Sequence, residues 1–508
     1  MVFSGLFLIY FALVLAVALF WTPGWALLGA VCFLCLAAYL WRAYLKPRGR
    51  FTAPRKWFRC ESRRKSLPYL AFAILAVLSC VYWLAYYPGG FNLDAYGQWS
   101  QAHGVLPYDD WHPITSTLLV QLVTAVCDSF PFYIFTQITL FSVATAMLLS
   151  ALQDAGVDYR ILLLVAAAIG ASPAIGLNTT SMTKDAQFTI VLVLLTNCFL
   201  KAALSEGAWL ETAGHVVMLG ILLALTLLIR HNGVLFAAPA VVALLAAYRR
   251  QATKVLAALA VALVLVFAVK GPVSQTLQVT PHSNSSGETV GIPMAILANA
   301  LVNDSEYVPE DVHEFLNEIA SDEEWEEHYL VGEWDSCKWV FGGTTVLQGV
   351  PLSDVLQYTA ETVAACPWAS YESVKLNTQI VWEPLLTNPD WVPEEYIAEN
   401  DMGIVPHANA VFHSICEAAK RISLLPVIST TIWNTGFHLL AIMAVFVLGY
   451  RMMKPSYLPL FLPLMAYDFG TMLLLSGPNQ RYFYCTAVLY IPIILALLAG
   501  GTEKRGEQ

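Results

Sequence analysis

The sequence predicts an all-α polytopic membrane protein with about twelve transmembrane helices, and three observations carry this prediction. The chain has 508 residues, of which 57% are hydrophobic and only 13% are charged. A soluble protein carries roughly 25% charged residues, so the solvating surface is about half the usual amount. The mean hydropathy is +0.60, and apolar runs of about 20 residues, the length that crosses a bilayer, recur along the chain. A cytosolic enzyme, a disordered regulator and a nucleic-acid binder are thereby excluded.

Twelve apolar runs are long enough to be predicted as membrane spans. They lie at 2–20, 24–41, 68–87, 131–150, 161–177, 187–204, 213–229, 234–249, 254–270, 427–449, 457–475 and 483–500. A further run at 113–127 is too short to cross comfortably. It is predicted to be a re-entrant or juxtamembrane helix in the first large outer loop, 88–130.

Basic residues in the short loops set the predicted orientation, because Lys and Arg are enriched on the cytoplasmic side of a membrane. Residues 42–65 contain ten Lys or Arg and the single acid Glu61. The loop 42–67 is therefore predicted to be cytoplasmic, and following the spans from this loop places both termini in the cytoplasm. We expect a multi-pass protein of the plasma membrane.

The acidic residues are concentrated in one segment, 271–425, called the insert below. It holds 24 of the 37 acids and 4 of the 27 bases, a net charge of −20, which leaves +10 for the remainder. We predict a membrane domain at 1–270 with nine helices, an extracytoplasmic insert at 271–425, and a membrane domain at 426–508 with three helices and a cytoplasmic tail. Residues 311–319 place Val312, Phe315, Leu316 and Ile319 on one helical face, so the insert is predicted to be mostly helical.

The first outer loop carries the carboxylates that suit catalysis. Asp94 follows a span within an aromatic-rich stretch, where low-dielectric surroundings are expected to raise its pKa toward that of a general base. Asp110 and His112 are further catalytic candidates, and Asp109 could contact the acceptor. Together they could deprotonate an acceptor hydroxyl or hold a divalent cation. Alternatively, Asp109 and Asp110 cap the helix that starts near Pro113.

Three cations lie at predicted outer span ends, against the positive-inside trend. They are Lys184, Arg230 and Arg481. Arginine presents forked donors that match a phosphate, and lysine adds a point charge, so the three together predict a site for a lipid-linked phosphate. His231 is expected to support the same site. The alternative for each residue alone is snorkelling toward lipid headgroups.

The insert contributes weaker candidates for contact with an acceptor or a sugar. Glu288 stands near its predicted membrane end, and Trp382 with Glu383 combines an aromatic ring with a carboxylate. No Cys or His spacing predicts a structural zinc site.

These motifs resemble those of the GT-C superfamily of membrane glycosyltransferases, which includes protein O-mannosyltransferases and aminoarabinose transferases. The resemblance covers most of the chain, and it is closest to an uncharacterised family of multipass membrane proteins from Gram-positive bacteria. The residues that carry it are Asp94, Asp-Trp-His-Pro113, Thr-Lys-Asp185, Arg-His-Asn-Gly233, Glu288 with Gly-Ile-Pro293, and Gln-Arg-Tyr482.

The resemblance implies a GT-C-like fold and transfer of a sugar from a polyprenyl-phosphate donor to an extracytoplasmic glycan, lipid or protein acceptor. It implies that Asp94 is the general base and that Lys184, Arg230 and Arg481 hold the lipid phosphate. The expected partners are that donor, the acceptor and the lipid bilayer. The alternative is a transporter or flippase, which predicts ionisable residues deep in the spans and broken helices.

Overall fold

The computed structural model describes residues 64–281, 290–385, 387–393, 396–449 and 454–502. Within these ranges the regular secondary structure is helical, and extended segments pair only through isolated bridges. The all-α prediction is thus confirmed for this part of the chain. The predicted spans at 2–20 and 24–41, the basic loop up to residue 63 and Glu288 lie outside the described residues.

The helices up to residue 281 follow the predicted spans closely. The runs at 68–87, 131–150, 187–204, 213–229, 234–249 and 254–270 each coincide with one helix, and 161–177 coincides with two. In chain order the helices are α1 Leu67–Ala85, α2 Leu93–Ala102, α3 Ile114–Thr124, α4 Phe130–Asp154, α5 Tyr159–Ala171, α6 Pro173–Thr180, α7 Lys184–Leu204, α8 Ala213–Ile229, α9 Val234–Ala247 and α10 Ala252–Ala268.

The described part of the insert contains helices and turns, as predicted, and the last three predicted spans are helical as well. The helices are α11 Gly291–Asp304, α12 Glu310–Asn317, α13 Asp322–His328, α14 Asp335–Lys338, α15 Leu352–Ala365, α16 Pro367–Trp382, α17 Ala410–Ser423, α18 Pro426–Ile432, α19 Thr435–Gly449, α20 Leu458–Met472 and α21 Tyr484–Thr502. In α12, Val312, Phe315 and Leu316 are buried on one face, as their spacing predicts.

By length and composition, five described helical segments could cross a membrane, or seven when two bent helix pairs each count as one span. Ten of the twelve predicted spans fall within the described residues, and the number found there is smaller than ten. One reason is that α8, α9 and α20 have 17, 14 and 15 residues, short of the ~20 that a bilayer requires. A 3₁₀ turn at His231–Gly233 separates α8 from α9 and shortens both.

The short run in the first large loop forms the 11-residue helix α3, which at 1.5 Å per residue is about 17 Å long and therefore too short to span. Its Ser116 hydroxyl donates to Gln187 Oε1 of α7 at 2.7 Å. The prediction of a short helix here is confirmed, and its placement relative to the membrane stays a prediction.

The two largest of the hydrophobic clusters among the described residues form the main cores. The larger lies among the apolar helices, and the smaller lies within the insert around the buried Trp325 and Trp334, whose rings stack at 6.0 Å. Helices α8 and α10 approach closely at Gly220, where a Cβ atom would lie 2.6 Å from the carbonyl oxygen of Ala258 and 2.7 Å from Val261 Cβ. Small residues permit such close helix packing in membrane proteins.

We expect Gly220→Ala to destabilise the protein, because the added methyl group overlaps the backbone of α10 and forces the helices apart. Overpacking of this kind costs about 1–3 kcal/mol. Gly214→Ala in the same helix is the matched control, since nothing lies within 4 Å of the point where a Cβ atom would be added. Thermal unfolding of the detergent-purified protein measures both variants. Equal midpoints for the two variants would contradict the packing described for α8 and α10.

Candidate functional site

Three extended segments meet side by side and bring two helix starts together. The Gly90 amide donates to the Thr180 carbonyl at 3.0 Å, and the Gly90 carbonyl accepts from the Met182 amide at 3.0 Å. In the same way, the Phe91 amide donates to the carbonyl of residue 396, and the Phe91 carbonyl accepts from the amide of residue 398. The Gly90–Ser181 bridge is parallel. Because the two segments run in the same direction, the helices that follow them, α2 and α7, begin next to each other.

Side-chain caps fix both helix starts. Asn92 Oδ1 accepts the backbone amide of Ala95 at 2.9 Å, and Thr183 Oγ1 accepts that of Ala186 at 3.3 Å. The caps place Asp94 in the first turn of α2 and Lys184 in the first turn of α7. Unpaired amide groups and the helix dipole give this region a partial positive charge that attracts anions.

Four side chains from distant parts of the sequence form one connected group, the Asp94 cluster, which consists of Asp94, His112, Lys184 and Arg481. Arg481 Nη1 donates to Asp94 Oδ2 at 3.1 Å. On the other side of the carboxylate, His112 Nε2 lies 3.6 Å from Asp94 Oδ1, and Lys184 Nζ donates to His112 Nδ1 at 3.0 Å. The predicted base therefore lies beside two of the predicted phosphate-binding cations.

The pKa of Asp94 is lowered, contrary to the sequence-based expectation. Burial acts to raise it, but the positive charges of Arg481 and Lys184, together with His112, outweigh that effect and hold the pKa well below its ordinary value. Asp94 is therefore a carboxylate, and its side chain keeps 34% of its surface exposed. The expected rise in pKa was wrong because Arg481, 387 positions away in the sequence, contacts Asp94.

His112 is a neutral imidazole that links Lys184 to Asp94. Burial and then the charge of Lys184 lower its pKa to about 3. Because an ammonium group can only donate, Nδ1 accepts from Lys184 and the proton resides on Nε2, facing Asp94. In the part of the chain that the structure describes, Lys184 forms no ion pair with a carboxylate. One carboxylate and two cations leave the Asp94 cluster with a net charge of +1.

Arg230 lies next to the cluster but is already paired. It forms a buried ion pair with Asp185, and both side chains are less than 10% exposed. Its guanidinium lies 5.5 Å from the centre of the Tyr482 ring, and the guanidinium of Arg481 lies 5.0 Å from the same ring centre. Arg230 is therefore paired inside the protein, and its predicted role in binding a lipid phosphate stays a prediction.

Asp109 and Asp110 accept backbone amides in the turn that leads into α3, whose N-cap residue, Pro113, has no side-chain capping bond. Asp109 Oδ1 accepts the amide of Trp111 at 3.0 Å, and Asp110 Oδ1 accepts that of Ile114 at 3.2 Å. The backbone carbonyl of Asp110 also contacts His231 Nε2 at 2.9 Å. These contacts hold the loop that carries His112, so Asp110 and His231 support the Asp94 cluster instead of joining it.

A small cleft adjoins the Asp94 cluster at Arg481. Arg481, the capping residues Asn92 and Thr183, Asn178 and Tyr396 all contribute to its lining. Arg481 therefore contacts the Asp94 carboxylate and also borders the cleft. Its Nε atom is buried without a hydrogen-bond partner among the described residues.

The insert holds the loop that leads to Arg481. The amide of Asp335 donates to the Ser476 carbonyl at 3.1 Å, and Asn377 Nδ2 donates to the Leu475 carbonyl at 3.4 Å. Gly291, at the start of α11, packs so closely that a Cβ atom would lie 2.5 Å from the Leu475 oxygen. The insert therefore helps to position one of the cluster's two cations.

The remaining predicted residues have local roles or lie outside the described part. Trp382 Nε1 donates to Thr378 Oγ1 at 3.0 Å, and the buried Glu383 accepts the amide of Leu385 at 2.9 Å. Glu288 lies within 282–289, outside the described residues. In the described ranges no three His, Cys, Asp or Glu side chains are grouped as metal ligands, so no residues can be assigned there to a divalent cation.

Sequence reasoning missed Asp185, Tyr482 and the caps Asn92 and Thr183. Asp185 directly follows Lys184, but nothing in the sequence spacing indicated that it pairs with Arg230. The caps had a signal, since Asn and Thr before an apolar helix are preferred N-cap residues.

Glu333 of the insert, two residues before Asp335, also has a shifted pKa. Burial and then the nearby carboxylates of Asp390 and Asp335 raise the pKa of Glu333 to about 7. A carboxyl group with a raised pKa stabilises the fold only while it is protonated.

A model of a family described as a family of unknown function (DUF6020) matches residues 87–374. The match covers more than half of the chain. It includes Asp94, His112 and Lys184 of the cluster and most of the insert, and it ends before Arg481. No curated protein and no solved structure matches the chain.

We expect Asp185→Asn to destabilise the protein strongly, because it leaves the Arg230 guanidinium buried without a counter-charge. Removing one partner of a buried pair costs about 3–5 kcal/mol. The control is Glu206→Gln, which breaks an exposed ion pair with Lys454, in which the side chain of Glu206 is 69% exposed; such pairs contribute little. Thermal unfolding in detergent compares the two, and similar small losses in both would argue against a buried Arg230–Asp185 pair.

Glu333 gives the stability a defined pH dependence. Its contribution is fully present below the unfolded pKa of about 4.5, falls as the pH rises through the folded pKa of about 7, and levels off above that. Glu333→Gln should therefore be more stable than the parent at pH 8, with the difference vanishing near pH 4. Melting curves at a series of pH values test this, and a pH-independent difference would assign the effect to something other than titration.

Proposed function

The chain belongs to the DUF6020 family of unknown function, and we propose that it is a GT-C-type integral membrane glycosyltransferase. The proposed donor is a polyprenyl-phosphate-linked sugar, and the proposed acceptor is the hydroxyl group of an extracytoplasmic glycan, lipid or protein. The observation that carries this proposal is the Asp94 cluster, in which an ionised, partly exposed carboxylate lies among two cations beside a cleft.

In the proposed reaction the acceptor oxygen attacks the anomeric carbon of the donor sugar. The bond from that carbon to the phosphate oxygen breaks, and its electron pair leaves with the polyprenyl phosphate. Asp94 takes the acceptor proton as a general base. A direct attack of this kind inverts the configuration at the anomeric carbon.

The cations of the cluster suit the leaving group. Negative charge develops on the phosphate as the bond breaks, and donors that are already oriented toward it stabilise that charge. Arg481 borders the cleft and has an unpartnered Nε, and Lys184 forms no ion pair in the described part of the chain. The start of α7 adds amide donors. Arg230 orients Tyr482 beside them.

The low pKa of Asp94 is compatible with its proposed role. A carboxylate paired with Arg481 is a weak base, but a bound phosphate would share the charge of Arg481 and so reduce the charge that Asp94 experiences. The pKa of Asp94 would then rise, and the base would strengthen only in the donor complex. A bound phosphate would also share the charge of Lys184, and His112, which lies between Lys184 and Asp94, would pass this change on to Asp94.

We further propose the full topology of twelve spans for the plasma membrane. In this arrangement both termini are cytoplasmic, the short helices α8, α9 and α20 cross with help from their flanking turns, and the Asp94 cluster and the insert face outward. The concentration of basic residues at 42–65 supports this orientation.

A transporter or flippase of lipid-linked or small solutes is the second candidate, and two observations favour it. The pairs α5 with α6 and α18 with α19 are bent by 61° and 68°, and Asp468 is buried within α20. Broken helices and buried ionisable residues are typical of transporters. Asp468 also has a structural contact between helices, because the Thr486 hydroxyl of α21 donates to Asp468 Oδ2 at 2.5 Å.

Asp94→Asn tests the proposed base, because the amide keeps the shape of the side chain but cannot accept the proton. We expect transfer of radiolabelled sugar from polyprenyl phosphate in isolated membranes to fall by about 10²–10⁴-fold. The control is Asp128→Asn in the same loop, whose exposed carboxylate contacts His103 and should leave transfer unchanged.

The outcomes separate the two functions. Full transfer by Asp94→Asn would remove Asp94 from the mechanism. If the parent protein releases no labelled product but moves the labelled lipid across proteoliposome membranes, the transporter function is supported and the transferase is rejected.

A further inference from the structure

Two tryptophan rings connect the Asp94 cluster with the insert. Trp111 immediately precedes His112, and Trp339 follows the short helix α14. Their ring centres lie 6.2 Å apart with an interplanar angle of 73°, an edge-to-face arrangement that aromatic pairs prefer. The pair therefore brings Trp339 of the insert against Trp111, the sequence neighbour of His112, and His112 lies between Lys184 and Asp94.

Trp339 is exposed and yet held in place. Its residue surface is 57% exposed, but a Cβ atom on Gly343 would lie only 2.8 Å from ring atom Cε3. The backbone of Gly343, which has a φ of +63°, therefore packs directly on the indole. The Lys338 ammonium lies 4.8 Å from the ring centre. An aromatic ring that is fixed before binding loses little conformational entropy when a ligand covers it.

The surroundings of Trp339 favour a carbohydrate over a lipid chain. Lys338 is 1% exposed and donates to Asp335 Oδ1 at 2.7 Å, and the Asp335 side chain is 34% exposed. A pyranose has one face of C–H bonds, which the negative face of an indole attracts, and hydroxyl groups that a neighbouring carboxylate can accept. An acyl chain would gain nothing from the carboxylate, and the insert as a whole carries a charge of −20.

We propose that Trp339, supported by Trp111, binds a pyranose ring of the acceptor beside Asp94. This inference rests on the proposed transferase function and names its acceptor class as a glycan. It also gives the insert a direct role in recognition, in addition to holding the loop before Arg481. Trp339 is thereby a specificity-determining residue.

Saturation-transfer NMR on the full-length protein in phosphatidylglycerol nanodiscs tests the platform without requiring turnover. Nanodiscs avoid detergents with sugar headgroups, which would compete for the site. The probes are chitotetraose and maltotetraose. We expect at least one probe to bind, with magnetisation entering through its ring C–H protons, and Trp339→Ala to weaken that binding about tenfold, which corresponds to about 1.4 kcal/mol.

The controls separate a binding role from a folding role. Trp339→Phe keeps an aromatic face and should retain most of the binding. Trp368→Ala removes another insert tryptophan, which is 79% exposed and paired with Tyr371, and should leave binding unchanged. Absence of binding to the parent by both probes, or equal loss in Trp339→Ala and Trp368→Ala, would overturn the proposal.

The experiments also distinguish a failure of the Trp339 proposal from a failure of the proposed transferase function. If Asp94→Asn abolishes transfer while Trp339→Ala binds both probes normally, the glycan platform is wrong and the transferase stands. If Trp339→Ala loses binding while Asp94→Asn transfers normally, the platform stands and the assigned base is wrong.

Discussion

The site depends on one backbone arrangement, in which the segment Gly90–Phe91 lies between 180–182 and 396–398. A single short segment thereby joins the start of α2, the start of α7 and the end of the insert. The hydrogen bonds involve only main-chain atoms, so they tolerate sequence change but not a shift in register. The relative position of Asp94 and Lys184 depends on this register, because they lie four and three residues beyond the Gly90–Ser181 bridge.

Electrostatic balance is the second feature that shapes the site. Arg230 is neutralised by Asp185 inside the protein, whereas the Asp94 cluster keeps a net charge of +1 beside a cleft. Burying an uncompensated charge is unfavourable unless a partner arrives. The difference between these two neighbouring groups therefore indicates which cations serve the structure and which are available to a ligand.

Much of this architecture could be predicted from the sequence, because apolar length and charge scarcity are local properties. The helices and the short α3 follow those expectations. The depressed pKa of Asp94 could not be predicted, since it depends on a contact with Arg481. The pairing of Arg230 with Asp185 was also hidden, because sequence spacing does not tell which side chains share an interior. The lengths of α8 and α9 depended on a 3₁₀ turn that apolar content does not encode.

The distance in sequence between Asp94 and Arg481 has a consequence for biosynthesis. The two residues are 387 positions apart, so a ribosome completes α2, α7 and the whole insert before the second cation exists. Until then Asp94 has only Lys184, acting through His112, to offset its charge. Contacts of such high sequence separation form late and slowly. The cleft therefore acquires its final electrostatics as one of the last events of folding.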